Sequence, residues 1–590
     1  MVLFGVCTTM LLITVGRVAM LQTVDRETYA GFGQQQRLDR LVLTAERGTI
    51  LDRNLQELAI SVPQTTIWAD PRLVSDPAGT ANALGQTLGY NATEIEHLRA
   101  ALSVDKSQFT YVKRQVDDAT AAGVKDLKLD GVFLQVEPKR FTPSGEVARS
   151  IVGATDPDGR GTAGLELEFD QQLTGTPGEL VRERDRDGRT IPQGHHEVVA
   201  AKPGTGIVTT IDQTLQYRVE QLLLNHAKAV GATGGGMVTV MDSKTGDLLA
   251  LASVELDKDT GELVVTSKNR PLLDTFEAGS VMKIVPASAA LDTGASELST
   301  VWELPASIAS ADDEIHNAEA HMGGQTLTFE QIIAQSSNIG TVKLAQAVGM
   351  SEFEKYLHAF GFGQKSAVDF PNESSGMLPP SAKWYGSQRD TIAYGQGVGV
   401  TQVQMTAAMN TIAQKGTYVA PRLVSATVAP DGTTTPVSAS GTRQVLQPAS
   451  AAGMTQVLEA VVCSREGTVG SHREKYLNLP GYRVAGKTGT GYKAQNKGYL
   501  IGYDKKTGKK KIDNYKDARG EYHYIASFAG FVPAENPELT ISVTIDEPPF
   551  GPNRFGASAA APLFAQVAGE ALRMLAVPPS AGGECPSAAP

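Results

Sequence analysis

Cysteine, net positive charge and long apolar runs are scarce in this sequence. Only three cysteines occur in 590 residues, Cys7, Cys463 and Cys585. That excludes a disulfide-dense scaffold and any four-cysteine zinc site. One bridge, Cys463–Cys585, stays open and requires that both residues lie in an oxidising compartment. Acidic residues outnumber basic ones, 64 to 53, giving a formal net charge of −11. An acidic balance argues against nucleic acid or an anionic membrane surface as the main partner. None of the nine histidines, including His195-His196 and the pair His316/His321, has the i, i+4 zinc spacing with a Glu between. No metal and no organic cofactor is expected. With 41% hydrophobic and 20% charged residues, the composition is that of a globular chain, long enough for two or three domains.

One apolar run is present. Met1 to Gly16 carries no charge, and Met1 to Val24 carries only Arg17. Sixteen helical residues span about 24 Å and twenty-four about 36 Å, against a hydrocarbon core near 30 Å. Residues 1–24 are read as an uncleaved transmembrane anchor, with Arg17 snorkelling toward an interface. A signal peptide would open on a basic stretch and close on a small-residue cleavage site, and neither is evident. From Asp25 onward no stretch approaches 18 apolar residues, so the rest of the chain is placed on one side of the membrane.

Composition shifts near Ala200. Residues 25–200 hold short, charge-rich elements: a helical region at Thr93–Leu102, a strand-like Gly131–Val136, and turn signals at Thr142-Pro143-Ser144-Gly145 and Asp156-Pro157-Asp158-Gly159. Residues 201–576 are more regular. Strands are expected at Ile207–Ile211, Met237–Met241, Asp247–Ser253, Val484–Lys487, Ile525–Val532 and Leu539–Asp546. Helices are expected at Thr214–Ala229, Ser280–Leu291, Phe329–Val348, Thr401–Gln414 and Ala559–Leu575. Strands at both ends with helices between imply an α/β domain. Residues 577–590, rich in Pro, Gly, Ser and Ala, are expected to be disordered.

Gly481-Tyr482-Arg483-Val484-Ala485-Gly486-Lys487-Thr488 fits the phosphate-loop pattern at every fixed position. A phosphate loop must run into a helix whose amides bind the phosphate. Here Gly489-Thr490-Gly491 follows, and each glycine costs about 1 kcal/mol of helix propensity. ATP binding is therefore not expected. The same residues gain meaning beside two others. Ser280-Val281-Met282-Lys283 is an S-x-x-K element, Ser336-Ser337-Asn338 an S-x-N element in a helical region, and Lys487-Thr488-Gly489 a K-T-G element. A serine hydroxyl needs a neighbouring base to act as a nucleophile. One helical turn brings Lys283 onto the face of Ser280, so its amine could reach that hydroxyl. A lysine is a base only when neutral, which burial and a second cation such as Lys487 both favour. Each element alone is weak. Their order, with Ser336 56 residues after Ser280 and Lys487 151 after Ser336, matches a trio known from β-lactamases and penicillin-binding proteins.

From about Arg37 to Leu575 the chain resembles the class B penicillin-binding proteins of the FtsI type. The resemblance rests also on Arg47-Gly48-Thr49-Ile50-Leu51-Asp52-Arg53, Gly161-Thr162-Ala163-Gly164-Leu165-Glu166, Thr209-Thr210-Ile211-Asp212, Asp369-Phe370-Pro371, Tyr394-Gly395-Gln396-Gly397 and Phe528-Ala529-Gly530-Phe531-Val532-Pro533. It implies a membrane anchor, an extended α+β non-catalytic pedestal of dimerisation type, and a C-terminal α/β serine transpeptidase domain of β-lactamase-like fold. It also implies a peptidoglycan D,D-transpeptidase acting in septal wall synthesis on stem peptides ending in D-Ala-D-Ala, with β-lactams as inhibitors. A membrane glycosyltransferase and division proteins would be its partners. Ser280 would be acylated, with Lys283 as its base. Ser336 would pass a proton to the leaving amine, and Asn338 would hold the peptide. Lys487 and Thr488 would bind the substrate carboxylate, Gly489 would let the substrate approach, and the amides of Ser280 and Thr490 would form an oxyanion hole.

The sequence departs from that family in four places. Ala278 stands where Pro is usual, and Leu55 where Gly is usual. Pro286 should kink the Ser280 helix if that helix runs on. A lysine-rich stretch between Tyr492 and His523, with Lys505-Lys506 and Lys509-Lys510-Lys511, is longer than expected and is read as a solvated loop. Rival readings are a D,D-carboxypeptidase or β-lactamase, in which water resolves the acyl-enzyme, and a non-catalytic β-lactam sensor or division scaffold. The long segment before the catalytic region disfavours the hydrolases, and intact Ser280, Lys283 and Lys487 disfavour the sensor.

Overall fold

The computed structural model describes residues 1–23, 37–104, 107–183, 185, 191–311, 313–318, 324–495, 499–503, 510–581, 583 and 585. The apolar N-terminal run forms one helix, Val2–Thr23, with no buried residue and a mean hydropathy of 1.9 over an 18-residue window. Its 22 residues extend roughly 33 Å, long and apolar enough to cross a membrane.

The segment that follows is built on one long strand, Glu57–Ala69. It pairs antiparallel with Val132–Phe141 from Ile60↔Phe141 to Ala69↔Val132, and with Thr110–Val116. Helices Pro77–Leu88, Ala92–Leu102 and Asp118–Asp126 cover this sheet over a core that includes Ile67, Leu84, Leu98 and Val124. Asn91 and Glu94 close a reciprocal capping box on the second helix.

This sheet does not stop at the composition shift. Gly206–Thr209 joins it parallel to Ile50–Leu51 and antiparallel to Val424–Val428. Ile50, Leu58, Ile207, Leu248 and Val403 share one core. Backbone pairing is indifferent to the change in side-chain composition that marks Ala200. Leu55 sits in the turn after Asp52 with φ +62°. Asp52 Oδ1 accepts the amides of Asn54 and Gln56 at 2.7 and 2.8 Å. The turn thus holds a leucine in backbone space that glycine occupies without strain.

The C-terminal part carries a six-stranded antiparallel sheet in the order Leu263–Val265, Leu248–Leu256, Gly235–Asp242, Leu539–Asp546, Tyr524–Val532, Ala485–Tyr492. The early hairpin meets the late strands through Gly235↔Asp546 to Asp242↔Leu539, as expected from strands at both ends. Helices Gln213–Val230 and Ala561–Met574 pack on one face through Leu215, Val219, Phe564 and Val567. Ile284–Asp292, Gln402–Ala413 and Pro448–Cys463 pack on the other through Val285, Met405 and Leu458. With both faces covered, Leu539–Asp546 is buried at every position although its sequence alternates, and the polar Thr540, Ser542, Thr544 and Asp546 are buried along with the apolar residues. Leu263–Val265 lies at one edge of this sheet and Ala485–Tyr492 is the edge strand on the other side.

Three expectations need correction. Phe329–Val348 is two helices, Phe329–Ala334 and Asn338–Val348. Ser337 ends the first run by taking an extended backbone and capping the second through Gly340 N. Ser280–Leu291 is a 3₁₀ turn, Gly279–Lys283, followed by the α-helix Ile284–Asp292. Pro286 therefore falls in the first turn of that α-helix, where a missing N–H costs no α-helical bond. The tail is tied down where it is described: Cys585 is disulfide-bonded to Cys463, and Ser580 N donates to Gly481 O at 2.8 Å. Composition signals the lack of a core but not a covalent tether. Lys505, Lys506, Lys509 and His321 lie outside the described residues. Among the described residues no group of three or more His, Cys, Asp or Glu could hold a metal ion.

Candidate active site

The three elements separated in sequence converge where the edge strand meets the 3₁₀ turn. In a 3₁₀ turn residues i and i+3 eclipse, so Ser280 and Lys283 project on one side. Ser280 is partly exposed, whereas Lys283 is fully buried. The Lys283 amine donates to Ser336 O at 2.5 Å, Ser336 Oγ at 3.1 Å and Asn338 Oδ1 at 2.7 Å. It was expected to reach the Ser280 hydroxyl. The contacts it makes among the described residues are these three oxygens, all from the S-x-N element.

Ser336 occupies the break between the two helices at φ +63°. That conformation is costly for a residue with a side chain and persists only where its surroundings over-determine it. The S-x-N element was placed inside a helical region; the break is what lets the Ser336 hydroxyl leave the helix surface. Asn338 opens the second helix, and its Nδ2 donates to His316 O at 2.9 Å.

Lys487 enters from the edge strand, fully buried, and donates to Ser336 Oγ at 3.0 Å and Thr488 O at 3.1 Å. One hydroxyl thus touches both amines. Neither lysine has a carboxylate within 4 Å among the described residues. Burial pushes the Lys283 amine well below the ordinary lysine range, and the Lys487 charge pushes it further. Burial lowers Lys487 to about 7. Both amines are thereby shifted toward the neutral form, the one with a free lone pair.

The glycines of the edge strand serve the turn. A Cβ at Gly489 would lie 2.6 Å from Ala278 O, one at Gly491 2.3 Å from Glu277 O, and one at Gly279 2.6 Å from Thr490 O. Gly489 was expected to make room for a substrate; a Cβ there would also meet Ser527 Oγ and, at 2.9 Å, Val281 Cγ2. Thr490 lies across from Gly279, and its Oγ1 accepts from Gly556 N at 3.3 Å. Thr488 Oγ1 is 2.9 Å from Thr468 Oγ1. The stretch that mimics a phosphate loop puts Lys487 and Thr488 inside the Ala485–Tyr492 strand. No helix N-terminus follows to cradle a phosphate.

Sequence reasoning missed several contacts: Thr468 against Thr488, the His316 carbonyl on Asn338, and Tyr515, whose hydroxyl donates to Glu277 Oε1 at 2.7 Å. They come from loops without periodicity or motif, and nothing local marks them.

Residues 236–569 match the penicillin-binding protein transpeptidase domain, and residues 42–209 the penicillin-binding protein dimerisation domain. The chain belongs to the penicillin-binding protein transpeptidase family. It is 32% identical to the penicillin-binding protein PbpB of Mycolicibacterium smegmatis, over 91% of this chain and 84% of that one. It is 31% identical to the peptidoglycan D,D-transpeptidase FtsI of Escherichia coli K12, over 96% and 90%. The crystal structure of penicillin-binding protein 3 of Mycobacterium tuberculosis in complex with aztreonam superposes with a TM-score of 0.65 at 28% identity, covering 93% of this chain and all of that one.

Proposed function

We propose that the protein is a membrane-anchored peptidoglycan D,D-transpeptidase that crosslinks stem peptides in septal wall synthesis and is a target of β-lactams. The observation that carries this reading is the Ser336 hydroxyl held between two buried amines that have no carboxylate partner among the described residues. Ser280 Oγ attacks the penultimate D-Ala carbonyl while its proton passes to neutral Lys283. The C–N bond to the terminal D-Ala breaks, and Ser336 relays the proton to the departing amine. An amine from a second stem peptide then attacks the acyl-Ser280 ester, returns its proton along the same path and frees the hydroxyl. The Ser280 and Thr490 amides face the developing oxyanion, and Asn338 holds the peptide. Lys487 and Thr488 receive the substrate carboxylate beside Gly489. An arriving carboxylate raises the affinity of Lys487 for a proton, and the resulting cation disfavours protonation of Lys283. Substrate binding would thus prime the base. Residues 25–200 serve as the pedestal and 201–576 as the transpeptidase domain, with Val2–Thr23 as a single-pass anchor. A disulfide at Cys463–Cys585 supports an extracytoplasmic catalytic domain, near a membrane glycosyltransferase and division proteins.

Fluorescent penicillin labelling tests the assignment. Ser280→Ala should reduce labelling by at least about a thousandfold while thermal unfolding stays close to wild type, and the wild-type adduct should map to Ser280. Normal labelling of the variant, or an adduct on Ser336, would overturn it.

A further inference from the structure

The stretch between Tyr492 and His523 was read from sequence as a solvated loop, yet its far end reaches the Ser280 turn. Its base is closed by Lys493 N donating to His523 O at 2.8 Å and Gln495 N to Asn514 O at 2.7 Å. Tyr515 is set by its own amide bond to Asp513 Oδ1 at 3.0 Å and by packing against Tyr492 of the edge strand, ring centres 5.6 Å apart. Its hydroxyl donates to Glu277 Oε1 at 2.7 Å. That same oxygen accepts Gly397 N at 2.8 Å, while Oε2 is buried with no hydrogen-bond partner among the described residues. Glu277 stands three residues before Ser280 and its carbonyl lies against Gly491. One carboxylate thus ties together the insertion, the Gly395–Gly397 turn and the backbone that leads into Ser280.

We propose that Tyr515 is a positioning residue for acylation, acting through Glu277 to hold the Ser280 turn in register with the edge strand. This rests on the transpeptidase reading of the site. The groups facing Glu277 are Tyr515 and Tyr394, with Asp513 and Tyr492 beside Tyr515. Burial raises the Glu277 carboxyl above its ordinary range, and the bonds from Tyr515 and Gly397 oppose that rise. Burial and the neighbouring carboxylate raise the Tyr515 phenol, so it remains a donor at working pH. Loss of the phenol hydroxyl leaves burial less opposed, and Glu277 takes up a proton at higher pH.

The test is stopped-flow acylation of the full-length protein by a fluorescent penicillin from pH 5 to 9. Tyr515→Phe, which keeps the ring packing, should slow the limiting acylation rate about three- to tenfold with little change in the initial binding constant. The acid limb of its rate profile should move to higher pH. In a Glu277→Leu background, which has no acceptor for the phenol, the same change should do nothing further. An unchanged rate and limb in Tyr515→Phe, or an equal loss in both backgrounds, would overturn the inference. Failure of the wild type to acylate at Ser280 would instead overturn the reading of the site itself.

Discussion

Around Arg47 the chain buries guanidiniums among carboxylates; around Ser336 it buries amines among neutral oxygens. Arg47 Nε meets Glu166 at 2.6 Å and its Nη1 meets Asp170 at 2.7 Å, while Arg140 takes the other Glu166 oxygen at 2.6 Å. Lys283 and Lys487 are more deeply buried still, yet their partners are a hydroxyl, two carbonyls and an amide oxygen. Paired ions stay ionised and fix geometry, whereas an unpaired buried amine is driven toward the neutral form. The first cluster is therefore scaffold, and the second is suited to moving protons.

The largest expected effect lies at Lys487. Lys487→Met should cut penicillin acylation by at least about a hundredfold. In the unfolded chain a lysine titrates near 10.4, and in the fold Lys487 titrates at about 7. Between these values the unfolded state binds more protons, so wild-type stability should rise with pH across about 7 to 10.4. The variant should lose the Lys487 share of that rise in urea unfolding and keep the share of Lys283, whose amine burial also lowers. A variant whose stability still climbs as the wild type's does would erase the contrast with Arg47.

Arg47→Met should do the reverse. It leaves Glu166 and Asp170 short of a buried partner, and breaking such a pair costs about 3–5 kcal/mol. Urea midpoints should fall while acylation per folded molecule stays at the wild-type rate. A drop in that rate would extend the chemical role into the N-terminal segment.

The smallest effect compares two residues with nearly the same backbone angle, Leu55 at φ +62° and Ser336 at φ +63°. Leu55→Gly should raise stability by about 0.5–1 kcal/mol, the relief of strain less the added freedom of the unfolded chain, and leave acylation unchanged. If it destabilises instead, the exposed Leu55 side chain contributes contacts that outweigh its backbone cost.

Much of the site was legible because short motifs carry their own geometry. The three-residue step from Ser280 to Lys283 holds in a 3₁₀ turn as in an α-helix. The strands at both ends of the C-terminal part announced themselves through the apolar run of Leu248–Leu256 and the strict alternation of Leu539–Asp546. What sequence could not give was long-range: which oxygens satisfy the Lys283 amine, and which backbone fills the space of Gly489. The break at Ser336 was hidden because Phe329–Ala334 and Asn338–Val348 continue one helical pattern across it. The Tyr515 contact joins residues 238 positions apart with no local signal.

The bond between Cys463 and Cys585 leaves Cys7, exposed on the Val2–Thr23 helix, as the one free thiol of the chain. Nature has thereby left a single attachment point for a reporter dye, inside the segment whose surroundings matter most for topology. A maleimide fluorophore there needs no engineered cysteine. Its emission colour reads whether that helix sits in hydrocarbon or water, while every residue of the catalytic domain stays as it is.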